Sequence, residues 1–146
     1  MDQTRRASVT WSGNLATGSG TINEVTSGAF GNLPVSWPAR TEASDGRTSP
    51  EELLAAAHAS CFSMSLSARL NKNGTPPDKL EVSAEVTFKQ QETGWKVASS
   101  AITVVVTAPG LDDATLQTLA EGARDGCPIS VALKGNVELS VDARLA

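Results

Sequence analysis

Polar and apolar residues alternate along the first part of the chain. From Arg6 to Trp11, the residues Arg6, Ser8 and Thr10 interleave with Ala7, Val9 and Trp11, the period of two expected of a half-buried strand. Ser12-Gly13-Asn14 marks a turn. The pattern predicts two further strands over Thr21–Val25 and Ala29–Trp37, kept short and irregular by Gly28, Gly31-Asn32 and Pro34. Trp37 to Thr48 reads as a loop. At Ser49-Pro50-Glu51-Glu52 the pattern changes. Ser49 can cap a helix, Pro50 suits the first helical position because its missing N–H would be unpaired there anyway, and Glu52 completes a capping box. The helix is expected to run to about Lys72, where Asn73-Gly74 supplies a left-handed stop and Pro76-Pro77 prevent resumption. Its alanines and its Leu, Phe and Met residues are spread all round, which predicts burial on most faces.

Beyond that helix, Val82, Ala84, Val86 and Phe88 alternate with Ser83, Glu85, Thr87 and Lys89. After a turn around Gly94, the run Trp95 to Ala108 carries Ile102, Val104 and Val106 on one face. The two read as an antiparallel hairpin ended by Pro109-Gly110. Asp112 or Asp113 caps a second helix with the stripe Leu116, Leu119, Ala120 and Ala123, closed by Gly126. Cys127-Pro128 opens a short third helix ending near Gly135, and Val137, Leu139 and Val141 mark a final strand. The order β, β, β, α, β, β, α, α, β is that of an α+β protein.

Length and charge narrow what such a chain can do. Its 146 residues suit a single domain, 1–146, with one core. A net charge of −4, no run of Lys or Arg, and only 4% aromatic residues exclude a nucleic-acid partner. No segment is long enough to span a membrane. The N-terminal MDQTRRASVTW lacks the apolar stretch of a secretory signal, so a cytoplasmic location is expected. Two cysteines and one histidine cannot close a four-ligand zinc site without carboxylates or a second chain, so no structural zinc is expected, and no other metal or cofactor is expected either.

In a reducing compartment a lone pair of cysteines is more often catalytic, redox-active or simply buried than a permanent cross-link. Cys61 lies inside the long helix, and taken alone it is a small hydrophobe in a core. Glu51, ten positions upstream on the same helix, is about 80° away around the axis and almost three turns off. Any coupling between them needs a third group, for which an Arg from another segment is the natural choice. His58 stands three positions before Cys61 and could touch it, although a hydrogen-bonded core histidine is the simpler reading. Cys127, ahead of Pro128, stands at an N-cap, where free N–H groups favour a thiolate; a plain cap is an equal alternative. Arg40 and Arg47 lie in the loop before the long helix, Arg47 as a solvated charge. Spacing alone does not bring the two cysteines together.

PEEL at the helix start, AAHASCF within it and GCPIS around the second cysteine together resemble the OsmC/Ohr family of thiol-dependent peroxidases, the OsmC branch above all. The resemblance spans essentially the whole chain. It implies an α+β fold with antiparallel sheets wrapped around central helices in an intertwined homodimer, which would account for a helix apolar on all sides. It implies reduction of organic hydroperoxides, and more weakly of hydrogen peroxide, with a dithiol of lipoyl type as reductant. Cys61 matches the family's peroxidatic cysteine and Cys127 its resolving partner, with a Cys61–Cys127 disulfide between them. Arg40 matches the active-site arginine and Glu51 the acid that holds it. Thr41 departs from the pattern, since the residue after the arginine is commonly Phe, and that bears on pocket shape. Two other readings remain: a dimeric small-molecule or lipid-binding module, and a redox sensor, against which the acidic surface argues.

Overall fold

The computed structural model describes all 146 residues, which form two compact units, Met1–Leu53 and Leu54–Ala146. In the first unit, strands β1 (Val9–Ser12), β2 (Ser19–Ile22) and β3 (Leu33–Val35) make an antiparallel sheet in that order. All three are shorter than the alternation suggests. Both faces of β1 are exposed, including Val9 and Trp11, whereas Ile22 of β2, paired with Val9, is buried. β3 ends early because the supposed loop starts a helix, α1 (Trp37–Thr41). The Ser36 hydroxyl caps it by accepting from the Ala39 N–H at 3.2 Å, and Pro38 sits in its first turn.

The long helix α2 (Pro50–Lys72) starts and stops where the sequence says. Ser49 accepts from the Glu52 N–H at 3.1 Å, but Glu52 does not return the bond; its carboxylate accepts from the Thr48 hydroxyl at 2.9 Å instead. Only half of the capping box forms. At the other end Gly74 takes a φ of +83°, Thr75 N–H reaches the Leu70 carbonyl and Gly74 N–H that of Asn71, a Schellman close that needs a residue without a Cβ.

In the second unit β4 (Lys79–Gln91) and β5 (Gly94–Thr107) form the expected antiparallel hairpin. After α3 (Asp113–Gly126) and α4 (Pro128–Leu133), strand β6 (Glu138–Leu145) pairs with β5 in parallel. The second sheet is therefore mixed rather than wholly antiparallel. The intervening helices supply the crossover that parallel neighbours need.

The core of this unit packs Phe62, Leu66 and Leu70 of α2 with Ile102, Val104 and Val106 of β5, Leu116, Ala120 and Ala123 of α3, and Ala143 of β6. Those α2 residues continue a stripe from His58 with a repeat of four, the spacing of one helix face. Burial of α2 in the single chain is limited largely to this stripe, and Met64 is 71% exposed. The expectation of a helix buried on most faces is not met within one chain, because sheet and α3 cover one side only. Gly126 does not stop α3 by a left-handed turn; extended backbone at Cys127 does so. Gly126 and Gly122 instead admit the Arg69 guanidinium, which would lie 2.7 Å from a Cβ at either position. No helix is long and apolar enough to cross a membrane.

Leu66 is fully buried at the centre of this core. Leu66→Ala should therefore lower the unfolding free energy by about 3 kcal/mol in urea titration; a loss below about 1 kcal/mol would mean that the stripe is not what holds the unit.

Candidate active site

Within the first unit, α1 presents Arg40 and the first turn of α2 presents Glu51. The Arg40 Nε donates to both carboxylate oxygens at 3.1 Å, and Nη2 donates to Oε1 at 2.7 Å. This is a forked, charge-assisted pair that fixes the guanidinium plane as a lysine could not. Glu51 is 8% exposed, so loss of Arg40 would strand a buried carboxylate. The guanidinium lies over the Trp37 ring at cation–π range, with Cζ 6.0 Å from the ring centroid. Thr41, at the position where the resembling family commonly has Phe, turns its hydroxyl back onto the Trp37 carbonyl at 3.0 Å.

Within the second unit, the cysteines that spacing left apart are neighbours. Cys61 is half-buried on α2, Cys127 is fully buried at the α3–α4 junction, and both are free thiols. Burial pushes the Cys61 thiol above its ordinary value; the Ile129 backbone N–H pulls it back, and the adjacent Cys127 thiol pushes it up again. Cys127 caps α4, its sulfur accepting from the Ser130 N–H at 3.3 Å. It also ends α3, with its own N–H on the Ala123 carbonyl at 3.0 Å. The carbonyl end of α3 thus opposes the amide end of α4, and the helix-dipole argument for a reactive thiol loses its force.

His58 does not turn to Cys61. It is fully buried, with Nδ1 2.7 Å from the Ser100 hydroxyl of β5 and Nε2 2.8 Å from that of Ser130. Burial lowers its pKa, which keeps the ring neutral. The Ser130 Oγ lies 3.0 Å from the Cys127 sulfur, so a continuous hydrogen-bonded chain runs Ser100, His58, Ser130, Cys127. Both serines went unnoticed in the sequence, and both left a signal. Ser100 is a polar residue on the inward face shared by Ile102, Val104 and Val106. Ser130 stands three residues after an N-cap, where its N–H is the one that a cap must satisfy. Arg47 is exposed, as expected of a solvated loop charge. No group of three or more His, Cys, Asp or Glu side chains is placed to hold a metal ion.

The OsmC-like protein family matches residues 43–142, a span that holds Glu51, Cys61 and Cys127 and begins just after Arg40. The chain is 36% identical over 129 residues to the peroxiredoxin OsmC of Escherichia coli K12, covering 88% of this chain and 89% of that one. It is 32% identical over 99 residues to the organic hydroperoxide resistance protein OhrB of Bacillus subtilis, covering 66% and 70%. The crystal structure of that OhrB superposes with a TM-score of 0.71 at 29% identity, over 95% of this chain and 98% of the other. An organic hydroperoxide resistance protein from Elizabethkingia anophelis gives 0.75 at 26% identity, over 99% and 100%. With the motifs around both cysteines, these matches establish that the chain belongs to the OsmC-like family and has its α+β fold.

Proposed function

We propose that this chain is a thiol-dependent peroxidase for organic hydroperoxides, with weaker action on hydrogen peroxide. The observation that carries the reading is that Cys61 and Cys127, distant in sequence, lie side by side in one compact unit. The names of its relatives, a peroxiredoxin and organic hydroperoxide resistance proteins, point the same way.

The chemistry runs in three steps. The Cys61 thiolate attacks the terminal peroxide oxygen, the O–O bond breaks, and the alkoxide leaves as the alcohol after taking a proton; Cys61 becomes a sulfenic acid. The Cys127 thiolate then attacks that sulfur, the S–O bond breaks, and hydroxide leaves as water, giving a Cys61–Cys127 disulfide. A dithiol reduces the disulfide by exchange and is itself oxidised to a cyclic disulfide. The sum is ROOH plus dithiol giving ROH, water and disulfide, with no metal or organic cofactor. A lipoyl-type dithiol suits the last step because its own ring closure drives it. The reducing cytoplasm suits two free thiols.

Half-exposure makes Cys61 the sulfur that a peroxide reaches, and the buried Cys127 the one that waits. Because its surroundings push the Cys61 thiol up, thiolate at neutral pH requires a cation. Arg40, held rigid by Glu51, is the group assigned that role by the family pattern. The assembly is proposed to be a homodimer of a single-domain chain. The uncovered side of α2, where Met64 and Ala68 border an open groove with Leu80 of β4, is an apolar face that a second copy would bury.

Cumene hydroperoxide at one equivalent should convert the reduced protein to a species two mass units lighter with Cys61 and Cys127 cross-linked. In Cys127→Ser the sulfenic acid should persist and be trapped by dimedone. Retention of both free thiols would reject the peroxidase in favour of a binding module whose cysteines only line a pocket. Arg40→Ala should move the pH–rate curve for peroxide reduction to higher pH. A thiol whose pKa rises is less ionised at any given pH below it, so a curve displaced upward by one pH unit means about a tenfold slower reaction at pH 7. Superimposable curves would remove Arg40 from the site. Sedimentation equilibrium should give twice the chain mass at micromolar concentration, and a monomer there would refute the dimer.

A further inference from the structure

His58 is the one titratable group sealed in the second unit that the three-step scheme does not use, and it does not stand alone. Its two ring nitrogens engage hydroxyls from two different elements, Ser100 of β5 and Ser130 of α4. Ser130 in turn meets the Cys127 sulfur twice, through its N–H at 3.3 Å and its Oγ at 3.0 Å. A neutral imidazole has one donor and one acceptor, and burial keeps this ring neutral. The chain can therefore run in either of two directions, set by the tautomer. With the proton on Nε2, the Ser100 hydroxyl donates to Nδ1, Nε2–H donates to the Ser130 Oγ, and the Ser130 hydroxyl is left to donate to sulfur. A thiolate at Cys127 then receives two donors from Ser130. With the proton on Nδ1, the Ser130 hydroxyl turns toward Nε2, and the sulfur keeps its own proton to donate to Ser130.

We propose that His58 is a positioning residue for the resolving step: through Ser130 it orients a hydroxyl donor onto the Cys127 sulfur and so favours the thiolate that attacks oxidised Cys61. This deepens the peroxidase reading and rests on it. The balance is that of the second step above, with the proton released by Cys127 ending on the departing hydroxide as water. The reason for such a device is the burial of Cys127. A sulfur with no exposure has no water to stabilise its anion, so the charge must be met by fixed donors. The titratable and charged groups around Cys127 are Cys61 on α2, His58 on the same helix through Ser130, and the Arg69 guanidinium of α2, which lies against Gly122 and Gly126. β5 contributes the neutral Ser100, and on α3 the neighbouring Arg124 and Asp125 pair with one another at 2.9 Å.

Thiolate absorbance at 240 nm, titrated in Cys61→Ser protein, reads Cys127 alone. Against that background Ser130→Ala should raise the Cys127 midpoint by about one pH unit, a tenfold loss of thiolate at a given pH below it, and Ser130→Thr, which keeps the hydroxyl, should restore it. His58→Leu, which keeps the Ser130 hydroxyl but no longer orients it, should raise the midpoint by part of that step, and His58→Gln, whose amide N–H can take the place of Nε2–H, should hold it near the starting value. In proteins that retain Cys61, the rate of disulfide formation from the sulfenic acid should fall by the same factor as the thiolate. An unchanged midpoint in Ser130→Ala would overturn the proposal, and this near-isosteric variant decides it even where His58→Leu fails to fold. The titration needs no peroxide, so it judges the donor chain independently. Failure of the wild-type protein to form a disulfide would instead overturn the peroxidase reading.

Discussion

A neutral imidazole sealed inside a protein must have both nitrogens hydrogen-bonded, or its burial costs more than the surrounding apolar contacts return. His58 stands at the head of the one stripe of α2 that is wholly buried, and its partners come from a strand and a short helix far along the chain. Meeting that need draws Ser130, and with it the start of α4, onto α2. Cys127 is the residue that begins α4, so the constraint that satisfies the histidine also delivers the second thiol beside the first. The apolar part of the stripe, Phe62, Leu66 and Leu70, supplies the burial that makes the polar part compulsory.

The two units show two different uses of charge. In the first, a forked Arg40–Glu51 pair with a tryptophan under the guanidinium makes a rigid cation. In the second, two thiols and a neutral hydrogen-bonded chain occupy a region of low polarity, where burial opposes ionisation of Cys61. The proposed peroxide reduction calls on a cation of this kind for Cys61, because a thiol whose surroundings oppose its ionisation needs a positive charge to be thiolate at neutral pH. The sulfur environments differ in the same sense. Half-exposed Cys61 can be reached from outside, while Cys127 is buried and held by its own helix cap, which suits a thiol that should react with a neighbouring sulfur rather than with solvent oxidants.

Much of the helical architecture was legible because its determinants are local. The Ser49 cap with Pro50 behind it, the Gly74 close and the Asp112 cap each act through hydrogen bonds within a few residues, and all three occur where expected. The strands of the first sheet are shorter than their pattern, and β1 is exposed along its whole length although its alternation from Arg6 to Trp11 suggests one buried face. Helix α1 escapes a search for periodicity because five residues are too few to show a period, although Ser36 and Pro38 mark its start. The parallel pairing of β6 was not legible at all, since strand direction is set by the route of the preceding helices and not by the residues of the strand.

For the site the division is sharper. The sequence by itself determined the candidates: two cysteines in distinctive motifs, an arginine ahead of a glutamate, and a histidine one turn from a thiol that reads first as a core residue, each a matter of residue type and local position. Whether those residues meet was decided only by the tertiary structure. It turned His58 away from Cys61 and onto Ser100 and Ser130, placed Cys127 between two opposed helix ends, and brought the thiols together. The reason is that hydrogen bonds and burial between elements far apart in the chain leave little trace in any short window of sequence, and they exist only once the core has closed around them.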